Sequence, residues 1–367
     1  MLSYFTFFEA PLSPRLWTLW PQLHSCLVEF AIDSWPALLV PLDNFISRDP
    51  ATFLSGTNPN YQESVFAMVS HSLAGPASFH EGDLLSAPRL LCVVLQNCRG
   101  LVDRWVEPYL TLVVHRFAKT HRRALKDELM VVVANALYYD PALALGALQR
   151  IGAVEAVFRE WFAMIFARKG KGSAGGKPQH FRLLSHKRAV ALGLVSLLAV
   201  PDEALPPQIA AGLPQVLAGV LKVLDDLKTQ EQEKQEDEEE RDDEGGSGSD
   251  GEEVDDDEQE EEGFTCFEAP TRGFLGAHHR NEDDDVDDDA DDGDSEDGWS
   301  DEDDDAESPI DAVCPFAFLA DALSALTPSR AQVLATVECA AVAAAVECAA
   351  ARRREAAAAE AKKQQAK

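Results

Sequence analysis

The stretch DRWVEPYLTLVVHRFAK (103–119), followed after five residues by LKDELMVVVANALYY (125–139) and closed by Asp140-Pro141, decides the fold. Its apolar residues return at the spacing of a helix face, and the strict alternation of a half-buried strand is missing. Two helices joined by a short link, with a proline barring simple continuation, make a helical hairpin. The same pattern extends outward from Pro14 to about Leu227.

Toward the N-terminus, Tyr61 to Leu73 reads as a helix, and Ser86-Ala87-Pro88 starts another that carries Leu90, Leu91, Val94 and Leu95. Earlier still, Leu16, Leu19, Leu23, Leu27 and Phe30 mark one helix; Asp33-Ser34 then offers an N-cap before Pro36 and a helix from Ala37 to Ile46. Toward the C-terminus, helices are expected over Leu143 to Ile151, Val154 to Ala167, Ser185 to Val200 and Pro206 to Leu227. The pairs begin near residues 15, 60 and 103. That spacing fits the ~40–47 residue period of HEAT-type hairpins, until a Gly/Lys loop, Arg168 to Pro178, blurs the register. The expected fold class is all-α: a HEAT-like helical-hairpin solenoid, an α-α superhelix. Each hairpin of a solenoid buries its apolar face against its neighbours only, so the ends need caps or further repeats. No polar capping helix opens this chain, which reads as the back end of something longer.

The chain has 367 residues and a net charge of −32, yet 46% of it is hydrophobic. Between Gln230 and Ser308 stand 39 acidic residues against 4 basic ones (Lys234, Arg241, Arg272, Arg280), a net of −35; the other 288 residues sum to +3. Such a tract cannot bury enough apolar surface to offset its ordering entropy and is expected to be disordered, as a long insert in the helical array. The expected organisation is a helical solenoid over 1–229, the acidic insert over 230–308, the last solenoid helices over 309–351 and a polar tail over 352–367. In the third part, Ile310 to Leu326 reads as a helix that Asp311 starts. Thr327-Pro328-Ser329 caps another, which runs through an Ala-rich segment into Arg352-Arg353-Arg354.

A field of this sign opposes phosphate-backbone binding, so no direct nucleic-acid partner is expected. The natural partners are cations, above all basic proteins. The candidate basic-partner residues are Glu236, Asp237, Glu238, Glu239, Asp255, Asp256, Asp257, Asp283, Asp284, Asp285, Asp287, Asp288, Asp289, Asp301, Asp303, Asp304 and Asp305. Ser249 and Ser300, each with an acid three residues on, are candidate phosphorylation sites; a phosphate there adds about 1.5–2 negative charges. Phe264, Phe267, Phe274 and Trp299 punctuate the tract. Phe264, Phe267 and Trp299 are candidate anchors on the scaffold or a partner, with unpatterned aromatics as the open alternative.

Sites for chemistry fail on spacing. The run Gly170-Lys171-Gly172-Ser173-Ala174-Gly175-Gly176-Lys177 puts Lys171 where a P-loop needs its first glycine and Pro178 where it needs Ser or Thr. An EF-hand around Gly293 would put Ala290 and Trp299 at ligand positions. No C-x-x-C, H-x-x-x-H or G-x-S-x-G spacing occurs, so no catalytic residue, cofactor or metal is expected. Seven cysteines (Cys26, Cys92, Cys98, Cys266, Cys314, Cys339, Cys348) in no regular pattern read as reduced thiols of an intracellular protein. Nothing is read as a signal peptide or a membrane span. Ala189 to Val200 is too short, and Ala331 to Ala350 is mostly alanine with Glu338 and Glu347 inside it.

Several segments, in order, carry a resemblance. They are Leu42-Asp43-Asn44-Phe45-Ile46-Ser47 with Phe53-Leu54-Ser55; Asn60-Tyr61 with Glu63, Val65-Phe66 and Met68; and Gln96-Asn97-Cys98-Arg99-Gly100 with Asp103. Ala136-Leu137-Tyr138-Tyr139-Asp140-Pro141 and His186-Lys187-Arg188 with Leu192-Gly193-Leu194 follow, then the acidic insert ending near Asp297-Gly298-Trp299, Ser308-Pro309-Ile310-Asp311 and Arg352-Arg353-Arg354. In this combination the chain resembles the C-terminal portion of an importin-β-type nuclear transport receptor, a karyopherin, of the importin seven and eight subfamily. The resemblance implies a HEAT solenoid, of the armadillo-type class, that carries basic cargo such as histones and ribosomal proteins through nuclear pores. It implies release by GTP-bound Ran, contact with nucleoporins, and shuttling between cytoplasm and nucleus. The family's principal Ran contact lies in an N-terminal region to which nothing here corresponds, so Ran binding is expected only through such a region, were this chain a fragment. The alternative function is a Ran-independent acidic chaperone of basic nuclear proteins.

Overall fold

The computed structural model describes residues 2–8, 11–30, 34–76, 79–169, 177–244, 308–335, 337 and 339–365. The chain divides into a unit of residues 1–234 with 300–367 and a second unit of residues 235–299. Of the second unit, the described part is the helical stretch 235–244.

The first unit opens with α1 (Leu2–Phe8), α2 (Pro14–Trp17) and α3 (Trp20–Ser25), the last continued by a π-helical turn, Cys26–Phe30. The single helix expected there is broken because Pro21 has no N–H to donate and crowds the preceding turn. Then come α4 (Trp35–Arg48), α5 (Pro50–Ser55), α6 (Tyr61–Leu73), α7 (Ser86–Asn97), α8 (Asp103–Phe117), α9 (Arg123–Tyr139), α10 (Pro141–Arg150) and α11 (Val154–Phe166). A two-residue antiparallel pair, β1 (Arg168–Lys169) with β2 (Lys177–Pro178), closes the base of the Gly/Lys loop. The order finishes with α12 (Leu184–Leu198), α13 (Pro207–Glu244), α14 (Pro315–Ser324), α15 (Pro328–Leu334) and α16 (Cys339–Gln365).

Local chemistry sets the starts. Asp140 caps α10 by accepting from the Leu143 N–H at 2.9 Å, with Pro141 filling a position that needs no donor. Asn60 and Glu63 cap α6 reciprocally: the Asn60 side chain accepts from the Glu63 N–H at 3.2 Å and donates to Glu63 Oε1 at 2.8 Å. Asp49 caps α5 through the Thr52 N–H, and its other oxygen accepts from Trp17 Nε1 at 3.0 Å.

The helices pack as hairpins, α6 on α7 and α8 on α9, and each hairpin packs on the next. One layer runs α4, α7, α9, α12, α14, while α6, α8 and α10 follow one another in the other layer. The fold is therefore all-α and HEAT-like. Central helices have no solvent face: Leu129 to Leu137 of α9 and Ala189 to Leu198 of α12 are buried without a break. Between them the backbones nearly touch, since a Cβ on Gly193 would lie 2.5 Å from the Ala134 carbonyl oxygen.

Three expectations change at the C-terminal side. The helix expected to close at Leu227 runs on to Glu244, carrying the first residues of the acidic tract. Asp311 sits in a turn and does not start a helix; α14 begins at Pro315, where proline needs no N–H partner. The Ala-rich stretch is split between α15, which Thr327 caps as expected, and α16, which extends through Arg352–Arg354 to Gln365. On length and composition, Pro207–Glu236 could cross a bilayer. Its Leu213, Val216, Leu217, Val220, Leu224 and Leu227 are instead buried in the protein.

Candidate functional site: the root of the acidic segment

The apolar spacing on α13 explains how an acid from the tract comes to be held by the scaffold. Leu224, Leu227 and Glu231 fall three and four residues apart, so Glu231 lies on the buried face one turn beyond Leu227. There it meets Arg188 of α12, whose Nη2 donates to Glu231 Oε1 at 3.2 Å. The same guanidinium reaches the far side of the tract: its Nη1 donates to Asp311 Oδ1 at 3.0 Å. One arginine thus joins carboxylates that stand on either side of the acidic segment. Arg352 of α16 donates to the other Glu231 oxygen and lies 4.4 Å over the Phe316 ring of α14.

Asp311 is itself positioned by its turn. Its Oδ2 accepts from the Ser308 N–H at 2.8 Å, the Ser308 hydroxyl accepts from the Ile310 N–H at 3.3 Å, and the Asp311 N–H closes on the Ser308 carbonyl at 3.0 Å. Ile310 is buried, which fixes the turn to the scaffold. Arg353 adds a tie from α16 to α14 through the Ala317 carbonyl at 3.2 Å and the Asp321 carboxylate.

The electrostatics favour a charged, fastened root. Partial burial pulls the Arg188 pKa down, but its hydrogen bonds to Asp311 and Glu231 and their charges outweigh that, and the net shift is upward. Arg352 behaves the same way, with Glu231 as the dominant opposing partner. A linked set of pairs, with side chains 17–31% exposed, resists solvent screening better than isolated surface pairs worth about 0–1 kcal/mol.

Three consecutive residues of α12 serve three directions. His186 Nε2 lies 3.2 Å from Glu128 Oε1 of α9, and that oxygen also accepts from Arg89 Nε of α7 at 2.8 Å. Lys187 donates to Gln230 of α13 and to the Arg182 carbonyl at 3.4 Å. Arg188 holds the root. Glu128 is fully buried, which by itself would raise its pKa, but Arg89 and His186 overcome the burial and lower it to about 2.

Of the candidate partner-binding acids, Glu236 is exposed on α13, and Asp237, Glu238 and Glu239 continue the same helix. The other acids, the anchors Phe264, Phe267 and Trp299, and Ser249 and Ser300 lie outside the described residues. The residues that fasten the root were not singled out for that role by sequence reasoning. Arg188, Asp311 and Arg352 stood in the resembling segments, but a pair separated by 123 positions has no local signal.

Comparison with known proteins gives the site its setting. No protein-family model matches the chain, and no solved structure matches it significantly. An importin beta-like SAD2 homolog of Arabidopsis thaliana is 39% identical over 233 residues, 64% of this chain and 22% of that protein. A probable importin-7 homolog of Dictyostelium discoideum is 27% identical over 238 residues, 64% of this chain and 21% of that protein. Importin-8 of Homo sapiens is 29% identical over 142 residues, 38% of this chain and 13% of that protein. The matched region thus spans about a fifth or less of these relatives' length. With its sequential helical hairpins, the chain is similar over about two thirds of its length to part of an importin-7/8-like protein.

Proposed function

We propose that this chain is a segment of a nuclear import receptor and binds basic protein cargo, of histone or ribosomal-protein type, through its acidic segment. One observation carries the reading: a tract of net −35 is joined to a helical scaffold at Glu231 and Asp311, both held by Arg188. A polyanion attached in this way raises the local concentration of Lys/Arg-rich partners and screens their charge, with strong salt dependence. The acids from Glu236 to Asp305 supply the binding charge, Phe264, Phe267 and Trp299 supply apolar anchorage, and phosphate on Ser249 or Ser300 would deepen the field in small steps. Passage through the pore calls for nucleoporin contacts, and shuttling between cytoplasm and nucleus follows.

The test compares the full chain with a form lacking 245–307, which spares the root, for binding to a core-histone complex at low and high salt. Loss of most of the affinity with the deletion supports the reading, and undiminished low-salt affinity refutes the role of the segment. Release of the bound histone by GTP-loaded Ran supports a receptor. A salt-sensitive complex that Ran leaves intact fits both a Ran-independent acidic chaperone and a receptor segment that lacks the Ran-binding region.

A further inference from the structure

Ser308 stands where the acidic segment rejoins the scaffold, directly before Pro309 and three residues ahead of Asp311. Pro309 is exposed and Ser308 half-buried at the surface. A proline restricts the residue before it to extended backbone, which presents the Ser308 hydroxyl to a kinase that selects serine followed by proline. The hydroxyl is also one short turn from a charged junction: the Ser308 N–H binds Asp311 Oδ2 at 2.8 Å, and Asp311 Oδ1 binds Arg188 at 3.0 Å.

We propose that Ser308 is a phosphorylation site for a proline-directed protein kinase, and that its phosphate takes Arg188 from Asp311 and opens the C-terminal side of the root. The Ser308 oxygen attacks the γ-phosphorus of ATP, the bond from that phosphorus to the bridging oxygen breaks, ADP leaves, and the hydroxyl proton passes to the kinase's base. The product carries about 1.5–2 negative charges beside the Asp311 carboxylate, and like charges at that distance repel. Arg188 is the cation at hand, and a guanidinium binds phosphate as a bidentate partner at least as well as it binds a carboxylate. Glu231 keeps its second arginine, Arg352, so the N-terminal side of the root stays fastened. The modification therefore acts on one side of the segment only.

The proposal does not rest on the transport reading. The full chain is incubated with ATP and a proline-directed kinase, sites are mapped by mass spectrometry, and amide exchange is followed at Asp311 and Val313, whose N–H groups close the turn. The expected result is phosphate on Ser308, lost in both Ser308→Ala and Pro309→Ala, with exchange at those amides about tenfold faster in the phosphorylated chain. In Arg188→Gln, where the junction is already open, phosphorylation should change exchange by less than about twofold. Phosphate confined to other serines and threonines, such as Ser13 or Thr327 before their prolines, would overturn the site. Unchanged exchange on a phosphorylated Ser308 would overturn its effect on the root.

Discussion

Glu128 shows how one buried charge can be favourable. It receives Arg89 from one neighbouring helix and lies beside His186 from the other, so removing its charge breaks a linked set of charged contacts around a buried carboxylate. Glu128→Gln should destabilise the chain by about 3 kcal/mol in chemical denaturation, the usual cost of breaking a buried pair; a change too small to resolve would sink the assignment. Because folding lowers its pKa from 4.5 to about 2, its contribution is complete above 4.5 and fades as pH falls toward 2. Stability measured down that range should drop more steeply in the native chain than in Glu128→Gln. At the root, Arg188→Lys keeps the charge but loses the fork that reaches two carboxylates at once, and should cost about 1 kcal/mol. An unaltered denaturation midpoint would show that the two contacts are dispensable.

Between elements, the α9 and α12 contact is the tightest test of packing. A methyl at Gly193 has the Ala134 backbone 2.5–2.9 Å away, and backbone cannot swing aside as a side chain can. Gly193→Ala should therefore cost about 2 kcal/mol by forcing the helices apart, despite alanine's better helix propensity. A variant as stable as the native chain would mean that the layer adjusts freely. Which elements exist was readable because their signals are local: apolar residues at helical spacing mark α6, α8 and α9, and Thr327 ahead of Pro328 marks the start of α15. The end of α13 was not readable in the same way. Composition assigns Glu231 to the acidic tract, whereas its position one turn beyond Leu227 places it on the packed face of the helix. Similarly, Pro21 interrupts a run whose leucines keep helical spacing, so spacing alone does not reveal the break.

At the scale of the whole molecule, charge and fold are separable. Deleting 245–307 should leave far-UV helical content per chain nearly unchanged while weakening capture of a histone-like partner, and a large loss of helicity would argue that the scaffold depends on the segment. The acidic segment itself was legible in the charge split alone. The root was not, because Glu231, Arg188, Asp311 and Arg352 come together only once α12, α13 and α16 have packed. The six tryptophans are distributed just as unevenly. Trp17, Trp20 and Trp35 crowd the N-terminal helices, each buried with its indole N–H bonded, to Asp49, Ser64 and Ser72. Trp105 and Trp161 follow, and the next is Trp299, within the acidic segment. Intrinsic fluorescence will therefore report the melting of the front hairpins and be nearly blind to the C-terminal helices. Excited alone, as the single tryptophan left after the other five are replaced by phenylalanine, Trp299 would give the acidic segment an optical signal of its own.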